Sequence, residues 1–164
     1  MKIILFINKD KDIKISKNDF LGFEKITKIF SKKKNHLFDK ARYPLEISLF
    51  LTNDKHIKKL NKKYRMIDKP TDVLSFSFFT KKELKRINEN ISPDKKIQIG
   101  DIVISADRAK IQAKQEKINL KEELKRLFIH GLLHLFGYDH VTKKDRDFMA
   151  KLEKDIINKD NLSK

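Results

Sequence analysis

Apolar positions along the chain change period several times, and each change marks an element. Ile3 to Ile7 form an unbroken apolar run before Asn8, Lys9 and Asp10, so residues 1–7 read as a first strand. Phe20, Phe23, Ile26, Ile29 and Phe30 then recur at three- and four-residue steps, which places them on one face of a helix over residues 18–31, closed by Lys32, Lys33 and Lys34. Residues 45–52 are a second strand. Asn53 or Asp54 follows, and a side-chain oxygen there can accept the first free N–H groups of a short helix reaching Tyr64. Beyond a loop holding Pro70, residues 73–79 read as a third strand, and the polar residues 81–96 as a long surface connection. Residues 97–104 make the fourth strand, Ser105 opens a helix to Lys117, and Asn119 caps another over residues 121–136. Gly137 suits the left-handed position that ends such a helix. Thr142 starts a last helix through Asn158, with Phe148, Leu152, Ile156 and Ile157 facing inward and Met149 read as core. The pattern predicts an α+β fold, an α/β sandwich in which a four-stranded mixed sheet packs with about five helices.

The length of 164 residues fits one domain over residues 1–164. The apolar share of 39%, with 12 Phe, is enough for a packed core despite 38% charged residues. Cysteine is absent, which excludes disulfide scaffolds, thiol nucleophiles and Cys-ligated metal sites, so any metal must sit on His, Asp or Glu. The N-terminal apolar run is too short for a secretory signal. The longest later one, residues 127–138, is broken by His130 and His134 and falls short of the ~20 residues of a membrane span. A cytoplasmic protein with no membrane association is expected. The net charge of +16 suggests a polyanionic partner, although a Lys-rich composition also arises from an AT-rich genome.

Three of the five histidines lie within the stretch His130-Gly131-Leu132-Leu133-His134-Leu135-Phe136-Gly137-Tyr138-Asp139-His140. On a helix, positions four apart differ by about 40° of arc and one turn of rise, so His130 and His134 project from one face. Gly137 lets the chain reverse, and His140 can then swing back with a third nitrogen. Any one of these could be an incidental histidine on a half-buried helix; the triple, with the glycine between its second and third members, points to a metal. Three neutral imidazoles leave a fourth tetrahedral position open, the arrangement of a catalytic zinc site with one Zn2+ per chain. The spacing equals that of the metzincin proteases, except that Gly131 stands where their catalytic Glu would be. A metzincin-like zinc protease is therefore disfavoured, because the base that would deprotonate water is missing.

The motif resembles that of the YbeY-type metal-dependent endoribonucleases, bacterial rRNA maturation factors. Two further stretches resemble the same family, from Asn61 through Tyr64-Arg65-Met66 and Pro70-Thr71-Asp72-Val73-Leu74-Ser75 to Phe76, and Gly100-Asp101-Ile102-Val103-Ile104-Ser105; together they span residues 45–153. Ser77 departs from the family, which usually has Pro there. The resemblance implies a single-strand-specific endoribonuclease acting on rRNA, at the 3′ end of small-subunit rRNA and in ribosome quality control. It also implies that Arg65 lies near the metal as a catalytic residue. Arg65 is the only Arg between Arg42 and Arg86, and its fork of donors could clamp a phosphate beside the ion or offset charge developing on it. Asp72, Asp101 and Asp139 are candidates for orienting an imidazole, or are simple turn and strand-end residues. The general base stays unassigned. A non-catalytic ribosome-associated RNA-binding protein with a structural zinc is the remaining alternative.

Overall fold

The computed structural model describes residues 2–14, 17–32, 43–80, 82–83 and 95–162. Met1, the side chain of Phe20, Lys33, Lys34 and residues 81 and 84–94 of the expected polar connection lie outside them. Among the described residues, four strands and five helices follow one another as β1 (Lys2–Lys9), α1 (Lys17–Ser31), β2 (Pro44–Thr52), α2 (Asp54–Arg65), β3 (Val73–Ser77), β4 (Ile97–Ser105), α3 (Ala106–Gln115), α4 (Leu120–Leu135) and α5 (Lys143–Leu162). The sheet order is β1-β2-β4-β3. β1 and β4 both run parallel to β2, and β3 is antiparallel to β4, so the sheet is mixed.

Alternation along the strands sorts the apolar side chains onto two faces. Leu45, Ile47, Leu49 and Leu51 of β2 join Ile102 and Ile104 of β4 in the main core, beneath α1, α4 and α5. On the opposite face Ile57 of α2 meets Leu74 and Val103 in a smaller cluster. Helix α4 is the centre of the larger layer, with Leu124, Phe128, Ile129, Leu132, Leu133 and Leu135 all buried. Edge-to-face rings join it to α1: Phe23 meets Phe128 at 5.2 Å between centroids, and Phe30 meets Phe136 at 4.6 Å.

Several boundaries differ from those the pattern predicts, each for a local reason. β3 stops at Ser77, where the Ser77 hydroxyl donates to the Phe79 carbonyl and one last bond, from Phe78 N–H to the Ile99 carbonyl, still reaches β4. α5 runs past Asn158 to Leu162, since Asp160 is buried against Lys25 and Lys125 of the neighbouring helices. Phe148 is not inward: it is half exposed, beside the Tyr138 ring, while Met149 is the buried neighbour. No helix among the described residues is long and apolar enough to cross a membrane.

β4 carries one more residue than β2 between the pairs Glu46↔Gln98 and Ile47↔Gly100. This bulge puts Ile99 and Ile102 on the same core face, and it brings Gly100 under the end of α4. A Cβ on Gly100 would lie 2.3 Å from the Phe76 carbonyl oxygen and 2.7 Å from Leu135 Cδ2, at a φ of +157°. Neither the backbone of β3 nor a buried leucine can withdraw that far. Gly100→Ala is expected to lower stability by about 3 kcal/mol, read as a fall in the urea midpoint at unchanged slope. A midpoint within error of wild type would show that this contact is not the tight one.

Candidate metal centre

Helix α4 starts where Asn119 Oδ1 accepts the Glu122 N–H, and it ends in a glycine-centred reversal. Tyr138 N–H donates to the Leu133 carbonyl and Gly137 N–H to that of His134, with Gly137 at φ 77°. This pair of bonds is the Schellman closure, and it turns the chain back so that His140 faces the last two turns of the helix. The structure brings the three histidines together: one ligand atom from each of His130, His134 and His140 falls within 4.8 Å of the others. His130 Nε2 and His134 Nε2 face each other at 3.1 Å, and the His140 ring lies 5.1 Å from that of His134.

Gly131, between them, is pressed onto the sheet. A Cβ there would stand 2.8 Å from Ile102 Cγ2 and 3.0 Å from Ser75 Oγ, so the position that would carry a protease's carboxylate has no room for a side chain. The helix can approach the sheet this closely only through glycine, and the approach sets the depth at which the histidine face meets β3.

His130 Nδ1 is 2.8 Å from Glu153 Oε1 on α5. With Nδ1 committed to a carboxylate, Nε2 is the nitrogen turned toward the other histidines. Glu153 was not among the carboxylates singled out from sequence. Asp72 is engaged elsewhere: its oxygens accept from Thr71, the Val73 N–H and, at 2.9 Å, Gln112. Burial alone would raise the Asp72 pKa, but these donors hold it below its ordinary value. Asp101 is bound by Gln98 on β4, and Asp139 accepts the His140 N–H, a turn contact just before the third histidine.

The histidines form one side of a cleft of about 640 Å³, whose other side is Tyr64, Arg65 and residues 71–76. Arg65 reaches it because α2 ends there: the next residue, Met66, takes φ 60° and donates to the Lys62 carbonyl, and the Ile67 N–H donates to that of Asn61. Asn61 Nδ2 holds the following loop through the Lys69 carbonyl, and Asp68 in that loop is paired by Lys58 and Lys62. Arg65 has no hydrogen bond or ion pair among the described residues, and its side chain is exposed to the cleft.

The donor set fits a divalent transition metal. It consists of three imidazoles and no thiolate, with one ring braced by a carboxylate. Burial first, then the nearby His130 and His140, lower the His134 pKa, which favours the neutral ring that a metal requires.

The model of the endoribonuclease YbeY family matches residues 5–161. The chain belongs to that family. It is 35% identical to an endoribonuclease YbeY of Caldicellulosiruptor bescii over the full length of both chains, and 41% identical to that of Heliobacterium modesticaldum over 77% of this chain and 78% of the relative. The solution structure of TM1509 from Thermotoga maritima shares the fold, with a TM-score of 0.57 over 95% of this chain and 91% of that one at 22% identity. Within this YbeY-family fold, Glu153→Gln should keep the helix packing but weaken metal affinity by about ten- to a hundredfold, as competition with a chromogenic chelator would measure. Unchanged affinity would separate Glu153 from the metal centre.

Proposed function

We propose that the chain acts as one domain, residues 1–164, and is a single-strand-specific, metal-dependent endoribonuclease. Its substrate is ribosomal RNA in the cytoplasm, at the 3′ end of small-subunit rRNA, with a further role in ribosome quality control. One Zn2+ per chain is held by His130, His134 and His140. The observation that carries this reading is the pairing, across one cleft, of a three-imidazole cluster with an arginine that makes no ion pair among the described residues.

A bound divalent metal supplies Lewis acidity toward a phosphoryl oxygen. Arg65 stands ready to take two oxygens of a phosphate through its planar fork, which orients the group and offsets charge as it develops. Glu153 keeps His130 in one tautomer and orientation. Family membership supports an RNA substrate, and the +16 charge supports a polyanion.

A peptide substrate is disfavoured by Gly131, because the buried, crowded position leaves no carboxylate to take a proton from water. RNA brings its own 2′-hydroxyl beside the phosphorus and is less dependent on such a group.

Elemental analysis of purified protein should find about one transition metal ion per chain, and His134→Ala should abolish it; retained metal would refute the ligand assignment. Arg65→Lys keeps the charge and loses the fork, so cleavage of single-stranded RNA should fall by roughly ten- to a hundredfold with metal content and melting temperature unchanged. Full activity would make Arg65 a surface cation. Cleavage should weaken as salt rises, with little action on paired RNA and none on casein. Chelator-sensitive casein cleavage would favour the protease.

A further inference from the structure

Helical spacing carries the inner face of α2 from Ile57 through Leu60 and Asn61 to Tyr64. At that last position the residue is 56% exposed. Single exposed aromatic residues are common on protein surfaces, so exposure by itself assigns nothing. The surroundings of this one do. Tyr64 lines the metal cleft beside Arg65, on the wall that faces His130, His134 and His140. Its ring meets that of Phe76 edge-to-face, with 5.0 Å between centroids and 64° between planes. Phe76 packs in turn on the smaller core of Ile57, Leu74 and Val103, which fixes the surface on which Tyr64 rests. Lys63 Nζ stands 5.1 Å from the Tyr64 centroid. Among the described residues Tyr64 makes its contacts through the ring, and its hydroxyl makes no hydrogen bond.

An aromatic ring held from below and open to a cleft offers a flat apolar surface of the kind on which nucleobases stack. Its place in the chain decides which base. Tyr64 and Arg65 are consecutive, with Cα atoms about 3.8 Å apart, so a nucleotide whose phosphate rests on the Arg65 guanidinium carries its base within reach of the ring. An arriving base displaces the Lys63 ammonium, and the flexible stem of that lysine lets it turn to a neighbouring phosphate.

We propose that Tyr64 is a stacking platform for one unpaired base of the RNA, next to the phosphate that Arg65 holds. The inference rests on the endoribonuclease reading and names how its substrate is positioned. Stacking uses the face of a base and not its edge, so the contact selects no sequence. It does select strandedness. In a duplex every base is stacked between its neighbours and paired at its edge, and none is free to lie on the ring.

The test compares two labelled strands of equal length by fluorescence anisotropy with zinc-loaded protein at low salt. One is a short oligodeoxyuridylate; in the other, tetrahydrofuran units stand in place of the nucleosides. Both lack the 2′-hydroxyl, so the bases are the difference between them. Wild-type protein should bind the uridylate roughly tenfold more tightly than the baseless strand. Tyr64→Leu keeps an apolar cover over Phe76 but loses the flat ring, and it should bring the two Kd values within about twofold of each other. Its Kd for the baseless strand should stay as in wild type, which reports that the fold and Arg65 are intact. Tyr64→Phe keeps the ring and should keep the gap. Equal Kd values in wild type, a gap undiminished in Tyr64→Leu, or a gap lost in Tyr64→Phe would each overturn the platform and leave Tyr64 as a cover over the smaller core. These readings involve no cleavage, so absence of RNA cleavage by the zinc-loaded wild-type protein would overturn the nuclease reading separately.

Discussion

The close seating of α4 on the sheet is the constraint on which the remainder of the structure depends. Gly131 allows the helix to meet Ile102 and Ser75, and Gly100 allows β4 to pass under Leu135 and against the β3 backbone. A side chain at either position would lift the helix, and with it the face that carries His130 and His134. The same seating explains a chemical difference read at first from sequence alone. The residue between the histidines is a spacer pressed onto the sheet, so the geometry that shapes the metal centre also removes the protease's base.

Charge is organised around that frame. Among the described residues, carboxylates are largely tied: Asp68 to Lys58 and Lys62, Asp72 to Gln112, Asp160 to Lys25 and Lys125, Glu153 to His130. Among the described residues Arg65, in the same cleft, makes no ion pair. Because donors hold Asp72 and Asp160 below their ordinary pKa against the effect of burial, both contribute stability above the ordinary carboxylate range, and that contribution is lost as pH falls below it.

Local signals were legible where one residue decides a local geometry. Asn53, Ser105 and Asn119 cap their helices through side-chain oxygens, and Gly137 takes the left-handed reversal. The histidine spacing announced its own cluster. Long-range facts were not legible. The sheet order depends on pairings between distant segments, and the bulge at Gly100 shows only once β2 lies beside β4. Glu153 is embedded in Lys151-Leu152-Glu153-Lys154-Asp155, where nothing distinguishes it from a solvated charge until α5 docks on α4. The last turn of α5 and the outward Phe148 are likewise settled by tertiary contacts, through the buried Asp160 ion pairs and the Tyr138 ring.

The central claim is that a single ion on His130, His134 and His140 enables this YbeY-family chain to cleave RNA. Titrating zinc into metal-free protein while following cleavage of a labelled single-stranded RNA tests it most directly. The account predicts no cleavage without metal and a rate that rises to a plateau at about one ion per chain. Undiminished cleavage by the metal-free chain, or a plateau reached only at two ions, would contradict it.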